Sequence, residues 1–315
     1  MQTLFTQYWH FLAVQNACKI NLFDLFINPN QVEIFCQTYQ LELKAVQFLT
    51  NFLCEENYLI RLAATNEYIC SEKGLQLCDN QPNGWKNACI LWGEEHLSAW
   101  QGLDYTLKTG KPAFERLYKA NFFDYLQDKP HKLANYHLAM GEYAREDYAN
   151  VSNFLTDLPT ITADIGGGLG VLVGNLAKSY PDKKFILADL PEVLNLAASI
   201  PENVTLSPLN FFQPFPFAAE AIILARVLHD WDNEKAGLIL NNCHKALAKG
   251  GKLYIFELMQ EEINANLLSL NMLLMCKSHE RSSQEYKELL TSHNFVIIDK
   301  KPFNGLQTLT ICERI

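Results

Sequence analysis

Thr160-Ile161-Thr162-Ala163-Asp164-Ile165-Gly166-Gly167-Gly168-Leu169-Gly170-Val171-Leu172 climbs as a β-type run to an acid, breaks into glycines and opens a helical pattern. Glycine lets the backbone bend tightly at that point and lets a ligand come close, because no Cβ intervenes. A strand–turn–helix unit of this kind holds nucleotide-like ligands at the carboxyl end of a parallel strand. The spacing selects among them. A dinucleotide fingerprint needs Gly-x-Gly-x-x-Gly, but counting from Gly166 the last position is Val171. What fits is acid-x-Gly-x-Gly-x-Gly, as Asp164, Gly166, Gly168 and Gly170. Its carboxylate suits the amino-acid end of a ligand without a pyrophosphate, which makes S-adenosylmethionine the expected ligand.

Downstream of this stretch, β-type runs alternate with helical ones, the signature of a parallel sheet in an α/β fold. The pattern predicts strands at 160–165, 184–189, 203–207, 220–225 and 252–257, with helices near 170–179, 192–199 and 233–248. A helix at 282–292 and two strands, 295–300 and 306–313, close the chain. The last two flank Phe303-Asn304-Gly305 and predict an antiparallel pair at one end of the sheet. Upstream, helices are expected at 99–108, 114–118, 122–126 and 132–155, with a turn at Thr109-Gly110-Lys111-Pro112. Residues 1–98 read as helices followed by two short strands at 55–60 and 66–70, the outline of a winged helix.

A winged helix often binds DNA, yet the recognition segment here, Leu41 to Leu53, contains Lys44 as its one cation. The whole chain of 315 residues carries 26 Lys+Arg against 35 Asp+Glu, a net charge of −9. That balance disfavours a phosphate backbone, so nucleic acid is not the expected partner and residues 1–98 are read as a protein–protein packing unit. Nine cysteines in an odd set with no Cys-x-x-Cys pair read as free thiols in a reducing cytoplasm. Met1-Gln2-Thr3-Leu4-Phe5 lacks the basic head of a signal peptide and no apolar run approaches a membrane span, so a cytoplasmic location is expected.

Three further stretches carry chemistry. The strand Lys184–Asp189 ends in an acid, 19 residues after Gly170, whose carboxylate can accept both hydroxyls of a ribose. The same Asp189 also suits the capping region of the helix that Pro191 opens. Asn210-Phe211-Phe212 offers an amide and an aromatic to an adenine ring, or plain core packing. Leu224-Ala225-Arg226-Val227-Leu228-His229-Asp230-Trp231-Asp232 delivers His229 to the carboxyl edge of the sheet. Histidine is the usual general base near neutral pH, although a surface histidine capping the next helix would look the same. Glu257, at the end of its own strand, and Glu280, in a polar loop before a helix, are carboxylates able to fix an imidazole's tautomer or simply to face water.

Asp164-Ile-Gly-Gly-Gly-Leu-Gly, Ala188-Asp-Leu-Pro-Glu-Val, Arg226-Val-Leu-His-Asp-Trp-Asp and Gly250-Gly-Lys-Leu-Tyr-Ile-Phe-Glu257 occur in the order and spacing of a known family. They resemble the S-adenosylmethionine-dependent small-molecule O-methyltransferases typified by caffeic acid and hydroxyindole O-methyltransferases and their bacterial relatives. The likeness covers nearly the whole chain. It implies a Rossmann-like methyltransferase sheet with a terminal antiparallel strand pair, preceded by a winged-helix-like dimerisation domain. The domains implied are 1–98 for dimerisation and 99–315 for catalysis, the latter split into a helical linker, 99–156, and a core, 157–315. The cofactor is S-adenosylmethionine, no metal is implied, and the partners are a small aromatic hydroxyl compound and a second copy of the chain.

By position, His229 matches the family's base, Glu257 the first supporting carboxylate, and Glu280, in His279-Glu280-Arg281-Ser282, the second. Gly166, Asp189, Leu190, Asn210, Phe211 and Arg226 match cofactor contacts, beside Asp164 and Gly168 of the turn. Met140 and Met272 match residues that clamp an aromatic ring, and Asn271 an acceptor contact. The chain departs from the family in having Asn210 where an acid is usual, Lys277-Ser278 where a glycine pair is usual, and His279 for an arginine. Two other readings stay open at this point: a relative that keeps the cofactor but does hydroxylation, decarboxylation or pericyclic chemistry, and a winged-helix regulator sensing a small molecule.

Overall fold

The computed structural model describes residues 2–315; Met1, where the expected first domain begins, lies outside the described residues. The chain forms two compact units, one running to Leu97 and the other Ser98–Ile315. In the first, α1 (Gln2–Lys19), α2 (Leu22–Leu25), α3 (Val32–Tyr39) and α4 (Leu43–Glu55) precede an antiparallel hairpin of β1 (Leu59–Leu62) and β2 (Glu67–Cys70). The short α5 (Glu72–Leu75) and α6 (Lys86–Trp92) follow. Phe23, Phe26, Phe35, Val46, Leu53 and Leu59 build its own core. Lys86 is buried there because Asp24 and Asp79 neutralise it, at 2.6 and 3.0 Å.

In the second unit, α7 (Glu95–Gln101) runs in from the first, then α8 (Leu103–Thr109), α9 (Ala113–Tyr118), α10 (Phe122–Gln127) and α11 (Pro130–Asp147) lead to the sheet. Its elements are β3 (Ile161–Ile165), α12 (Val171–Ser179), β4 (Lys184–Asp189), α13 (Pro191–Leu194), β5 (Val204–Pro208), β6 (Ala219–Ala225), α14 (Asn233–Ala246), β7 (Leu247–Glu257), α15 (Ala265–Cys276), α16 (Ser283–Ser292), β8 (Phe295–Phe303) and β9 (Gln307–Arg314). Seven strands lie in the order β5-β4-β3-β6-β7-β9-β8, parallel through β7 and antiparallel at β7–β9 and β9–β8. This is the Rossmann-like sheet with the terminal antiparallel pair that the sequence predicts.

Alternate residues of the central strands serve opposite faces. Ile222 and Leu224 of β6 join one core with Ile239 of α14 and Leu290 of α16, while Ala221 and Ile223 join another with Val173 and Leu176 of α12. Both faces are covered, so the strands read as continuous apolar runs. The chain winds outward through β4 and β5, then returns to β6 on the other side of β3. The winding reverses between β3 and β6, and the carboxyl ends at such a switch point are where open α/β sheets form their ligand crevice.

Several helices differ from expectation. The one expected at 99–108 breaks at Gly102, where a Cβ would come within 2.8 Å of the Ala113 Cβ. The one expected at 132–155 starts on Pro130, apt for a first turn, and stops at Asp147. It stops because the Tyr148 carbonyl is taken by Asn175 and the Asp147 carboxylate by Gln307. α13 covers three residues of the predicted 192–199, since Ser199 turns left-handed (φ 57°) ahead of Pro201. α15 has no counterpart in the sequence reading. Among the described residues, no helix is long and apolar enough to cross a membrane.

Candidate active site

β3 ends at Ile165 and the chain turns through Gly166, Gly168 and Gly170, all left-handed (φ 69°, 58° and 76°), into α12. The turn is tied to the end of β4, because Asp189 accepts hydrogen bonds from the amides of Gly168 (2.8 Å) and Leu190 (2.7 Å). Asp189 is buried, and burial lifts its pKa to about 6 against the pull of those two amides. Asp164 lies beneath Gly167, whose added Cβ would stand 2.6 Å from its Oδ2. Neither Asp164 oxygen has a close hydrogen-bond partner, and the Val173 amide offsets its burial only in part. Burial, then the charge of Asp189, raises its pKa to about 7.

Two buried carboxylates, with no cation among the groups that shift them, fit a ligand that brings its own positive charge. The sulfonium and ammonium of S-adenosylmethionine meet that requirement. Phe211 stands over the turn, its ring edge 3.7 Å from where a Cβ on Gly166 would lie, and meets Phe212 and Trp231 edge-on. Asn210 is exposed, and its Oδ1 closes a local turn by accepting from the Phe212 amide (3.0 Å). Its amide nitrogen is the part left for a ligand. Leu190 packs with Val193 and Leu133 beside the end of β4.

The second half of the crevice is built by β6 and β7. β6 ends at Ala225, the next residue Arg226 is held left-handed (φ 56°) with its amide on the Phe256 carbonyl, and a 3₁₀ turn, Leu228–Asp230, follows. That turn presents His229, which is buried. Its Nδ1 lies 3.0 Å from Glu280 Oε1. Glu257, fully buried at the end of β7, meets the His229 segment at its backbone. It accepts the backbone amides of Leu228 (3.0 Å) and His229 (3.3 Å), so it holds the turn while Glu280 holds the imidazole.

Arg226 joins the two glutamates, with Nη1 3.3 Å from Glu257 and 3.1 Å from Glu280, and Nη2 2.9 Å from Glu280 and 3.1 Å from His229 Nδ1. The sequence places Arg226 among the cofactor contacts; its side-chain hydrogen bonds in the structure run to this cluster. One ligand-type atom from each of His229, Glu257 and Glu280 lies within 4.8 Å of the others, the grouping that suits a metal. The guanidinium already supplies a cation there.

Electrostatics follow from burial and neighbours. For Glu280, burial pushes the pKa up, but His229 and Arg226 win and hold it at about 2. Burial dominates at Glu257 and raises it. Burial and Arg226 push the His229 pKa down, while Asp230, Glu280 and Glu257 push it up, and the net shift is upward. Asp230 Oδ1 lies 3.5 Å from His229 Nε2.

Met140 sits half-buried on α11, whose Gly141 presses on the Leu169 side chain of the glycine turn. Asn271 and Met272 are buried on α15, and the Asn271 side-chain Oδ1 accepts from Trp100 Nε1 at 3.0 Å. Sequence reasoning misses Tyr136 and His137, in the turn of α11 before Met140. His137 is half-buried beside Gly168, and desolvation lowers its pKa to about 4. Their position one helical turn from Met140 is the signal that could have found them. Ser278 and Asp230 are missed as well.

An O-methyltransferase domain model matches residues 100–296. A phenazine O-methyltransferase of Lysobacter antibioticus is 30% identical over 314 residues, covering 93% of this chain and 89% of that one. The crystal structure of LaPhzM superposes with a TM-score of 0.92 at 24% identity over 100% of this chain and 98% of that one. Human N-acetylserotonin methyltransferase, solved in complex with S-adenosylmethionine, gives 0.85 at 21% identity over 99% and 97%. At those identities the structures speak for the fold, whereas the domain match and the Lysobacter relative reach further. On that ground the chain belongs to the O-methyltransferases that draw their methyl group from S-adenosylmethionine.

Proposed function

We propose that the enzyme methylates a hydroxyl of a small aromatic metabolite (phenolic, polyketide, quinone or indole in type), with His229 as general base. The observation that carries this reading is the 3.0 Å contact between His229 Nδ1 and Glu280. With its pKa held at about 2, Glu280 is ionised at neutral pH and only accepts hydrogen bonds. In this reading the proton of neutral His229 sits on Nδ1 toward Glu280, with Arg226 Nη2, 3.1 Å from the same nitrogen, spending its N–H on Glu280 at 2.9 Å. The Nε2 lone pair takes the acceptor's proton on the side where Asp230 lies 3.5 Å away. A phenol of pKa near about 10 is almost wholly neutral at pH 7, so this help matters.

The bound cofactor supplies a methyl group already activated on sulfur. What remains for the protein is to align the oxygen and exclude water, worth roughly 7–11 kcal/mol of barrier when the geometry is right. Asp164, Gly166, Gly168, Asp189, Leu190, Asn210 and Phe211 hold the cofactor in this reading, with Arg226 tying that side to the glutamates. Met140 and Met272 bracket the aromatic ring and Asn271 touches the acceptor. The phenazine O-methyltransferase supports an aromatic acceptor. Residues 1–98 make the homodimer, and 99–315 carry catalysis.

A panel of phenolic, quinone and indole acceptors, scored for S-adenosylhomocysteine release, tests the acceptor class. Release with none of them would favour a relative that keeps the cofactor without transferring methyl. His229→Ala is expected to lower kcat by about 10²–10⁴-fold, the usual worth of a general base, with S-adenosylhomocysteine affinity nearly unchanged. A variant that kept most of its activity would remove the base from the mechanism.

A further inference from the structure

Ser278 stands where the resembling family has a glycine, and its hydroxyl does something a glycine cannot. The residue is buried, and Oγ lies 2.5 Å from the His229 carbonyl oxygen and 3.2 Å from that of Trp231. A hydroxyl has one proton to donate, so the shorter contact to His229 takes it. Arg281, three residues on and also buried, donates Nη1 to the Leu228 carbonyl (2.7 Å) and Nη2 to the Trp231 carbonyl (2.6 Å). Between them sits Glu280, on His229 Nδ1. The short segment 278–281 thus supplies both the partner of the ring and the clamps on the backbone that bears it.

The amides of Asp230 and Trp231 close the catalytic turn on the carbonyls of Val227 and Leu228 (both 3.3 Å), and the rest of its polar backbone is held from outside. Amides 228 and 229 go to Glu257, and carbonyls 228, 229 and 231 go to Arg281 and Ser278. Lys277, which ends α15, adopts a left-handed conformation (φ 59°) that costs a lysine more than a glycine. The chain accepts this cost in the step that brings Ser278 under the turn.

We infer that Ser278 is a positioning residue for methyl transfer: its hydroxyl fixes the His229 backbone in register with Glu280, so that Nε2 faces the acceptor. Removing it leaves a buried carbonyl unsatisfied and frees the turn to shift. A displacement of about 1 Å at a reacting group can cost on the order of 10²-fold. This inference rests on His229 acting as the base.

Ser278→Ala, Ser278→Thr and His229→Ala are compared for kcat, for S-adenosylhomocysteine affinity, and for the His229 ring-nitrogen signals followed by NMR against pH. In Ser278→Ala we expect kcat to fall by about 10–10²-fold, cofactor affinity to hold, and the Nδ1-protonated tautomer and titration of His229 to change. Ser278→Thr keeps a hydroxyl and restores most of the rate. Unchanged kcat and an unchanged His229 titration in Ser278→Ala would overturn the inference. So would a Ser278→Thr enzyme that binds the cofactor normally yet is as slow as Ser278→Ala. An active His229→Ala enzyme would instead strike the base itself, while the ring signals still report whether Ser278 positions the imidazole.

Discussion

His229 stands between opposed influences, and their balance sets the pH at which it can take a proton. Burial and Arg226 favour the neutral ring, and the carboxylates of Asp230, Glu280 and Glu257 outweigh them. Because the base works only when neutral, kcat should rise with pH and level off above a pKa higher than the ordinary imidazole value of about 6.5. Glu280→Gln removes one raising charge, so the acid limb should move to lower pH. Its plateau should also fall, because an amide can donate to Nδ1 and favour the tautomer whose proton sits on Nε2. The pH profiles of both enzymes decide this, and an acid limb displaced to higher pH would contradict it. At this scale the sequence points to the candidate set, since Glu257 ends β7 and His229 follows the end of β6 in a short turn. It does not apportion the work within that set. That Glu257 holds the backbone while Glu280 holds the ring depends on side-chain directions set by tertiary packing.

Among elements, the unit from β3 through the glycine turn into α12 is legible because a strand buried on both faces gives an unbroken apolar run closed by turn residues. α15 is not legible, for its apolar residues fall on all sides while it packs against α8 and α9, so no period of 3.6 shows. The long helix expected over 132–155 ends early because of hydrogen bonds to Asn175 and Gln307, residues far along the chain that no local pattern reveals. The glycine turn itself invites a matched comparison. Gly168 and Gly250 are both left-handed, at φ 58° and 77°, and a Cβ at either has room. Alanine at each should therefore cost a similar stability, about 1–2 kcal/mol from backbone strain. Only Gly168 lies on the cofactor face of the crevice, so only Gly168→Ala should weaken S-adenosylhomocysteine binding. Thermal unfolding and ligand titration of the two variants test this, and equal affinity in both would detach Gly168 from the cofactor.

For the whole molecule, the question is what the first unit is for. It has its own core, so it does not need its surface apolar residues to fold. Yet α1 exposes Leu4, Phe5, Tyr8 and Trp9 within two turns, Trp9 at 68%. Single exposed apolar side chains are ordinary, but a cluster of large ones on one helix face marks an interaction surface. The helix pair α3 and α4 with the β1–β2 hairpin keeps the winged-helix outline, and Lys44 is the one cation on α4. With a net charge of −9 on the chain, a phosphate backbone is a poor occupant for this unit. An apolar face asks for another apolar face, and a second copy of the chain provides one through a two-fold axis without any further partner. The parent protein is therefore expected to sediment as a dimer at micromolar concentration. Phe5→Glu combined with Trp9→Glu should shift it to monomer while leaving S-adenosylhomocysteine binding in place, because two charges facing their own symmetry mates repel in a desolvated contact. A parent that sediments as a monomer would remove the dimer. A double variant that stays dimeric would place the contact elsewhere than on α1.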